Sequence, residues 1–323
     1  MLIPLRGSPD PDSIGSAVGL QHILLSGGVT SDIAYTQPVS RPQNRMLIEL
    51  LDLPLVSIGT SPSEDYTSLF QGYCLVDTPS LDPSLRRILS SKPLVVHIDH
   101  HDQEQDAVSA ELSNIDTHVG AAATLLAKHL QSFDLLIVDD PKSRKVAVAL
   151  MHGIYADTNA LISANSPDYE AMAYLSHFFD KTVLKKILSE QITERTMHVL
   201  VNAYQHRVVS HGHLFTYLGY VSPDERDELL PTTADLFQRL AGVNTVIVGA
   251  VVGQTLQASI RNTNSQNIRN LITSMIPELP NITGASFGSR NGQGGFEIPL
   301  SALQGHDIGN YLLDRFNRYV RVL

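Results

Sequence analysis

The stretch LVVHIDHH, residues 94–101, places an aspartate and two histidines directly after a short apolar strand. Two further apolar stretches, Leu2–Leu5 and Tyr73–Val76, predict strands of the same kind, and Asp77 follows the second of them directly. Helical patterns alternate with these strands, which is typical of an α/β fold whose parallel sheet carries helices on both faces. In such sheets ligands bind beyond the carboxyl ends of the strands, so these polar residues mark a candidate site.

The rest of the pattern divides the chain in two. A helical stretch runs to about residue 200, and a smaller α+β unit follows it. The helices expected in the first part are Ile14–Leu25, capped by Ser13, and then Val119–Leu130, Ser143–Tyr155, Ala171–Phe178 and Thr182–Glu190. The strands expected in the second part are His213–Val221, Thr245–Val252 and Leu256–Arg261, with helices at Ala234–Leu240 and Ile268–Met275. A chain of 323 residues commonly forms two domains, and we predict them at 1–190 and 191–323.

The composition of the chain indicates which binding partners and which cellular compartment to expect. The formal net charge is −10, whereas proteins that bind long nucleic acids non-specifically carry a basic surplus that neutralises phosphates. A short RNA or nucleotide therefore fits the charge better than a long duplex. The single cysteine, Cys74, excludes an internal disulfide and a cysteine-based zinc site, and no apolar run reaches the roughly 18 residues of a membrane span. We expect a soluble, cytoplasmic protein without a membrane partner, and a homodimer is left open.

Four clusters of acidic and histidine residues carry the expected chemistry. They are the turn Asp10-Pro11-Asp12, Asp77 at its strand end, the triplet Asp99-His100-His101, and Asp157 in the segment GIYADT. Carboxylates together with imidazole favour Mn²⁺, Mg²⁺ or Fe²⁺ over metals that prefer thiolates. Four aspartates and one histidine could hold two cations roughly 3.5–4 Å apart, and such a pair can activate water and neutralise phosphoryl charge.

Each cluster also has a purely structural interpretation. An Asp-Pro-Asp sequence is ordinary turn chemistry, and Asp77 and Asp157 each stand in a context that suits a helix cap. The Asp-His-His triplet is harder to explain by structure alone. The four clusters together, in this order and context, are far more specific than any one of them. They favour a metal-dependent phosphoesterase.

Two features of the second part suggest contact with an anion. Residues 284–296, GASFGSRNGQGGF, contain five glycines and one arginine, which suggests a loop whose backbone N–H groups can approach a phosphate. The alternative is a turn between strands. Arg261 ends an apolar strand and could direct its guanidinium group at a phosphate. Its alternative is a solvated strand end.

With these motifs the chain resembles the DHH/DHHA1 phosphoesterases, a superfamily named for its Asp-His-His motif. Asp99-His100-His101 matches that motif, and Asp10 and Asp12 match the Asp-x-Asp of the first motif. Asp77 and Asp157 match the aspartates of the second and fourth motifs. The resemblance covers nearly the whole chain, and the length is close to that of the small oligoribonuclease/pAp phosphatases, the nanoRNases. RecJ-like exonucleases belong to the same superfamily.

The resemblance implies a role for each matching residue and a DHH domain followed by a DHHA1 domain. Mn²⁺ is the expected metal, with Mg²⁺ as the alternative, and its expected ligands are Asp10, Asp12, Asp77, His100 and Asp157. His101 is expected to contact the scissile phosphate, and Asp99 to orient a histidine. The far end of the nucleotide is expected to contact Arg261, Arg290, Gly294 and Gly295, in a cleft between the domains.

Two departures from the family pattern bear on this site. The family's first motif usually begins with a histidine where this chain has Arg6. One ligand is therefore missing, so one or two ions are expected, and Arg6 becomes a candidate phosphate contact. The usual glycine motif of the second domain ends in a histidine that this chain lacks, and Arg290 is the candidate replacement.

The predicted function is hydrolysis of short oligoribonucleotides or dinucleotides, and of 3′-phosphoadenosine 5′-phosphate, by a metal-activated water. One alternative is a dedicated cyclic or linear dinucleotide phosphodiesterase. A second is a degenerate member that binds nucleotides without hydrolysing them. Arg6 favours this second alternative, whereas retention of the other five ligands argues against it.

Overall fold

Two six-stranded sheets organise the chain, one in each of two units, Met1–Glu190 and Gln191–Leu323. The computed structural model describes residues 1–39, 41–59, 62–101, 109–189, 192–263, 267–290, 292–305 and 307–322. Within these ranges, the helices are too short or too polar to cross a membrane.

The sheet of the first unit is parallel throughout. Its strands are β1 Leu2–Leu5, β2 Asp32–Tyr35, β3 Leu55–Ser57, β4 Tyr73–Val76, β5 Leu94–Asp99 and β6 Leu112–Ile115. They lie in the order β3-β2-β1-β4-β5-β6. All residues of β1 and β4 are buried, as expected for parallel strands covered on both faces. The parallel sheet predicted from the sequence is confirmed.

Helices cover both faces of this sheet, also as predicted. They are α1 Pro11–Ser26, α2 Pro42–Leu51, α3 Glu64–Ser68, α4 Pro83–Leu89, α5 Ala122–Ser132, α6 Pro141–Asp157, α7 Ser166–Leu175 and α8 Lys181–Leu188. Because side chains alternate along a strand, Ile3 and Cys74 pack in one core with α1, α5 and α6. Leu2 and Tyr73 pack on the opposite face with α3 and α4.

The second unit has a mixed sheet. Its strands are β7 Val208–Ser210, β8 His213–Val221, β9 Thr245–Val252, β10 Thr255–Asn262, β11 Ser286–Arg290 and β12 Gln293–Pro299. Their order is β11-β12-β10-β9-β8-β7, and only the β8–β9 pair is parallel among these described strands. The helices are α9 Glu194–Gln205, α10 Arg226–Phe237, α11 Ile268–Met275 and α12 Ile308–Val320. Single turns of 3₁₀ helix lie at Leu279–Asn281 and Leu300–Leu303.

The start of α1 differs from the prediction. The helix begins at Pro11, and Asp10 rather than Ser13 is its N-cap. The Asp10 carboxylate accepts from the Ser13 N–H, and the Ser13 hydroxyl accepts from the Asp10 N–H. This reciprocal capping box, with proline at the first helical position, is a strong start signal. It places Asp12 in the first turn of the helix, where its direction is set by the helix backbone.

Candidate metal centre

Adjacent strands of the first unit bring the polar clusters together. Strands β1, β4 and β5 are neighbours in a parallel sheet, so their carboxyl ends share one edge. Asp77 follows β4, and Asp99 is the last residue of β5. The turn after β1 leads to Asp10 and Asp12 at the start of α1, and Asp157 is the last residue of α6.

Four of the predicted ligands converge on one point. Asp12, Asp77, His100 and Asp157 each offer one atom, and these atoms all lie within 4.8 Å of one another. The Nε2 atom of His100 lies 3.3 Å from Asp77 Oδ1, 3.4 Å from Asp157 Oδ2 and 4.0 Å from Asp12 Oδ2. Three carboxylates and one imidazole thus form a candidate site for a divalent metal, which we call the four-residue cluster.

The four-residue cluster fits a metal because its own atoms do not satisfy one another. Asp77 Oδ1 and His100 Nε2 are buried and make no hydrogen bond with the part of the chain that the structure describes. Buried polar atoms without partners are rare in folded proteins, and a bound ion is one of the explanations for them. Oxygen and imidazole nitrogen donors suit Mn²⁺ and related divalent cations. The donor set and its unsatisfied atoms therefore agree with a cation.

The electrostatics of the cluster agree with the same conclusion. Burial, with the charge of Asp157, raises the pKa of Asp12 to about 7. Burial and the charge of Asp12 raise the pKa of Asp77 well above its usual value. Burial acts to lower the pKa of His100, but the carboxylates of Asp157 and Asp77 outweigh it and raise that pKa to about 11. Without a cation, protons balance the crowded carboxylates.

Asp12 is held by the first turn of another helix. Its Oδ2 accepts from the Ala122 N–H at 2.7 Å and its Oδ1 from the Ala123 N–H at 2.9 Å. These N–H groups begin α5, where the helix dipole stabilises a negative charge. Helix α6 also approaches closely, since a Cβ on Gly153 would lie 3.0 Å from Asp12 Oδ1. The Asp12 carboxylate is therefore fixed from two sides.

Asp10 lies outside the four-residue cluster. Its carboxylate caps α1 through the Ser13 N–H at 2.9 Å. Its oxygens are not among the ligand atoms that lie within 4.8 Å of one another. Desolvation by the surrounding protein and the charge of Asp157 raise the pKa of Asp10, so it still senses the cluster. Its predicted role as a metal ligand stays a prediction.

Asp99 and His101 form a second pair beside the cluster. Asp99 Oδ1 lies 2.7 Å from His101 Nδ1 and accepts from the backbone N–H of His100 at 2.8 Å. Burial acts to raise the pKa of Asp99, but the hydrogen bonds from His101 and the two backbone N–H groups lower it overall. An ionised carboxylate only accepts, so Nδ1 carries a proton and Nε2 is the nitrogen left for other partners. This geometry agrees with the orienting role expected of Asp99.

Arg6 lies at the same sheet edge. It follows β1, is exposed, and its Nη1 donates to Ser80 Oγ at 2.9 Å. Ser80 belongs to the loop after β4, whose backbone also accepts from the Thr78 hydroxyl. Arg6 is therefore linked to the loop that begins with the ligand Asp77. Its predicted contact with a phosphate stays a prediction.

The residues predicted to bind the substrate in the second unit have internal partners. Arg261 is 5% exposed, its Nε donates to Asp235 Oδ1 at 2.5 Å, and its Nη1 donates to Ser259 Oγ and to the carbonyl of Ile260. It is not a solvated strand end. Its predicted contact with substrate stays a prediction. The side chain of Arg290 lies outside what the structure describes.

The glycine-rich segment contributes two paired strands, β11 and β12, so the loop expected there is not what the described residues form, and the anion contact stays a prediction. Gly294 and Gly295 lie in β12, paired with β10 on one side and β11 on the other. A Cβ on Gly295 would lie 2.3 Å from the carbonyl oxygen of Ala258, and one on Gly294 would lie 2.6 Å from Ile268. Close packing in the sheet explains these two glycines, and their binding role stays a prediction.

Sequence reasoning missed the groups that hold the ligands in place. The N–H groups of Ala122 and Ala123 are invisible in a sequence because every residue has one. Asp168 is buried and accepts four hydrogen bonds near α5. Its local signal was readable, since Asn165-Ser-Pro-Asp168 is a capping-box pattern. The pattern predicts the start of α7 but not the long-range contacts.

Residues 3–154 match the model of the DHH family, N-terminal domain. The chain is 31% identical over 262 residues to the uncharacterized protein MJ1633 of Methanocaldococcus jannaschii, a match that covers 81% of this chain and 52% of the relative. A second protein of that organism, MJ0988, is 26% identical over 194 residues, covering 59% and 55%. The chain thus spans about half the length of the curated relatives that it matches.

Solved structures share the fold. An exopolyphosphatase-related protein from Bacteroides fragilis superposes with a TM-score of 0.74 at 14% identity, covering 99% of this chain and 91% of that one. RecJ from Thermus thermophilus, solved in complex with Mn²⁺, superposes with a TM-score of 0.50 at 14% identity, covering 100% and 52%. This likeness shows the fold: a parallel α/β domain followed by a mixed-sheet unit consistent with a DHHA1 domain. The predicted fold class is confirmed.

Proposed function

This chain belongs to the DHH family through residues 3–154, and we propose that it is a metal-dependent phosphoesterase. The observation that carries the proposal is the four-residue cluster, in which three carboxylates and an imidazole converge with unsatisfied buried atoms. Such a set suits a divalent cation, and a cation at a strand-end site is suited to bind a phosphorylated substrate.

We propose Mn²⁺ as the cation, with Mg²⁺ as the alternative. The mixture of carboxylate oxygens and imidazole nitrogen supports Mn²⁺, and a RecJ of the same fold was solved with that ion. The proposed ligands are Asp12, Asp77, His100 and Asp157. A second ion would need Asp10 to turn from its capping bond to the cluster. A bound cation would supply Lewis-acid activation of water and neutralise phosphoryl charge.

His101 is the proposed contact to the scissile phosphate. Asp99 accepts from Nδ1, which leaves Nε2 of His101 as the atom that would donate to a phosphoryl oxygen. Such a donor stabilises the charge that develops in the transition state. Asp99 fixes the direction of the ring, and the backbone N–H groups of His100 and His101 fix Asp99 in turn.

The proposed substrates are short RNA, dinucleotides in particular, and 3′-phosphoadenosine 5′-phosphate. The net charge of −10 supports a short substrate because a long duplex would be repelled. Arg6 is a proposed phosphate contact, since it is a cation at the same sheet edge. Arg261, Arg290, Gly294 and Gly295 are proposed contacts to the remainder of the nucleotide. A cyclic or linear dinucleotide phosphodiesterase uses the same chemistry and differs only in substrate.

A second candidate function is nucleotide sensing without hydrolysis. Two observations favour it: Arg6 stands where the family has a histidine, and Asp10 is used as a helix cap outside the cluster. A protein of this kind would bind a nucleotide and release it unchanged. The four remaining ligands favour catalysis instead, because they retain the donors for a cation that would activate water.

The test is hydrolysis of a 5′-phosphorylated RNA dinucleotide and of 3′-phosphoadenosine 5′-phosphate, with Mn²⁺ or with EDTA. Asp157→Asn removes a carboxylate charge from the cluster, and Asp139→Asn makes the same change at an exposed site outside the cluster. Turnover that needs Mn²⁺, survives in Asp139→Asn and disappears in Asp157→Asn supports the proposal. Binding without turnover supports the sensor. Neither binding nor turnover of any dinucleotide overturns both.

A further inference from the structure

Asp168 is a fully buried carboxylate with three donors around it. Its Oδ1 accepts from the Thr124 hydroxyl at 2.6 Å and its Oδ2 from the Asn165 N–H at 2.8 Å. The Gly120 N–H lies 3.0 Å from both oxygens. A buried acid with this many donors is firmly held, since each donor satisfies an oxygen that would otherwise be orphaned.

These bonds join two segments that are distant in sequence. Asn165 caps α7, whereas Gly120 and Thr124 belong to the turn that starts α5. The bond to Asn165 is local and explains α7 alone. The bonds to Gly120 and Thr124 span more than 40 residues and have no part in capping α7. They fix the position of the first turn of α5.

The first turn of α5 is the same turn that holds Asp12. Its N–H groups at Ala122 and Ala123 lie between Gly120 and Thr124 and donate to both oxygens of Asp12. A shift of this turn moves both donors together. Asp168 holds this turn, and the turn orients Asp12, a ligand in the four-residue cluster.

Gly120 links the same turn to a second ligand. A Cβ at this glycine would lie 2.4 Å from Thr158 Cγ2 and 2.8 Å from Asp168 Oδ2. Thr158 is fully buried and directly follows Asp157. The backbone of Gly120 therefore fits between Asp168 and the residue beside Asp157, where any side chain would force the segments apart.

We propose that Asp168 is a positioning residue of the metal centre, acting through Gly120 and Thr124 on Asp12 and through Gly120 on the Asp157 segment. The inference rests on the proposed function, because it assumes that the cluster binds a cation. Outer partners that orient metal ligands typically change metal affinity by about 10–100-fold when they are replaced. Asp168 is expected to behave as such a partner although it touches none of the four ligands directly.

The test measures Mn²⁺ affinity rather than activity. Isothermal titration of the full chain with Mn²⁺, well below the melting temperature, compares wild type, Asp168→Asn and Asp180→Asn. Asp180 caps α8 in the same unit and makes no contact with the cluster among the described residues. We expect Asp168→Asn to weaken Mn²⁺ binding by about 10–100-fold and Asp180→Asn to leave it unchanged. The electron paramagnetic resonance spectrum of bound Mn²⁺ should change only in Asp168→Asn.

Three results overturn the inference. Wild-type affinity and spectrum in Asp168→Asn would show that Asp168 merely caps α7. An equal loss in Asp180→Asn would show that any weakened cap loosens the site. If the wild type itself binds no Mn²⁺, the proposed function fails first and takes this inference with it, so the two failures are distinguishable.

A second pair of variants keeps the test decisive if Asp168→Asn does not fold. Thr124→Ser keeps the hydroxyl that donates to Asp168, and Thr124→Val removes it at nearly equal volume. The inference expects wild-type Mn²⁺ affinity in Thr124→Ser and weaker binding in Thr124→Val, with both proteins folded by circular dichroism. Equal affinity in the two variants overturns it.

Discussion

Both units bury charged side chains, but they do so in opposite ways. In the first unit, three carboxylates and an imidazole converge at the edge of the parallel sheet and leave Asp77 Oδ1 and His100 Nε2 without hydrogen bonds among the described residues. In the second unit, the guanidinium of Arg261 is equally buried but is matched by Asp235, Ser259 and a backbone carbonyl.

Whether the buried charged groups are matched by partners within the chain distinguishes a ligand-binding site from a packed interior. Like charges that face one another cost free energy in the folded state and persist only if something else offsets that cost. A buried guanidinium whose counter-charge and hydrogen-bond acceptors come from the chain itself needs no exogenous ligand. The first arrangement therefore predicts an exogenous cation. In the second, the charge and the hydrogen bonds of Arg261 are matched within the chain, which weakens the case for Arg261 as a direct substrate contact.

The largest effect is expected from Asp77→Asn. Asparagine suits this position because Asp77 has a φ of 52°, a left-handed conformation that Asp and Asn tolerate. The variant loses a central ligand, so hydrolysis and Mn²⁺ affinity should fall by more than the roughly 100-fold typical of outer-shell changes. The metal-free protein should be at least as stable as the wild type, because one repelling carboxylate is gone.

Thermal unfolding with and without Mn²⁺ checks this prediction. At a Mn²⁺ concentration about 100-fold above Kd, the wild type should gain about 2.7 kcal/mol of stability, and Asp77→Asn should gain almost none. The same gain in both proteins would mean that the cation binds elsewhere, and the contrast between the two units would lose its basis.

The next effect concerns stability in the second unit. Asp235→Ala should cost about 3–5 kcal/mol, because it leaves a buried guanidinium without its counter-charge. Arg261→Met should cost much less, since the side chain of Asp235 is 46% exposed and water can solvate it when its partner is gone. Urea unfolding followed by circular dichroism measures both changes. If Arg261→Met instead leaves stability intact and abolishes nucleotide binding, Arg261 is a substrate contact.

The metal site can be predicted from the sequence, whereas the Arg261–Asp235 pair cannot, and the reason lies in how far apart the contacting residues are along the chain. Asp77 and Asp99-His100-His101 follow apolar strands directly, so parallel topology alone brings them to one edge. Arg261 meets Asp235 across 26 residues, and no local pattern predicts such a pair. The sequence of residues 284–296 does not predict the strand pairing of Gly294 and Gly295, because a glycine-rich hairpin and a glycine-rich loop share one composition. Only the close approach of Ala258 and Ile268 distinguishes them.

The metal site should also respond to pH in a defined direction. His100, with a pKa raised to about 11, and Asp12, with a pKa of about 7, hold protons near neutrality that a cation must displace. Raising the pH removes this competition. Mn²⁺ affinity should therefore rise with pH through the neutral range, because protons must leave the cluster before the cation binds. A titration in buffers of different ionisation enthalpy counts the released protons, and an affinity independent of pH would contradict the prediction.

The smallest effect is expected from Asp10→Asn, and it tests where the cluster ends. Asparagine caps a helix about as well as aspartate, so the bond from the Ser13 N–H and the stability of α1 should survive. Because the Asp10 carboxylate lies outside the four-residue cluster, affinity for the first Mn²⁺ should fall less than tenfold, as for a charge nearby rather than a ligand. Titration with Mn²⁺ measures both affinity and stoichiometry. A drop from two bound ions to one would make Asp10 the ligand of a second ion. A loss of Mn²⁺ affinity as large as that of Asp77→Asn would instead show that Asp10 is a ligand of the first ion and contradict the prediction.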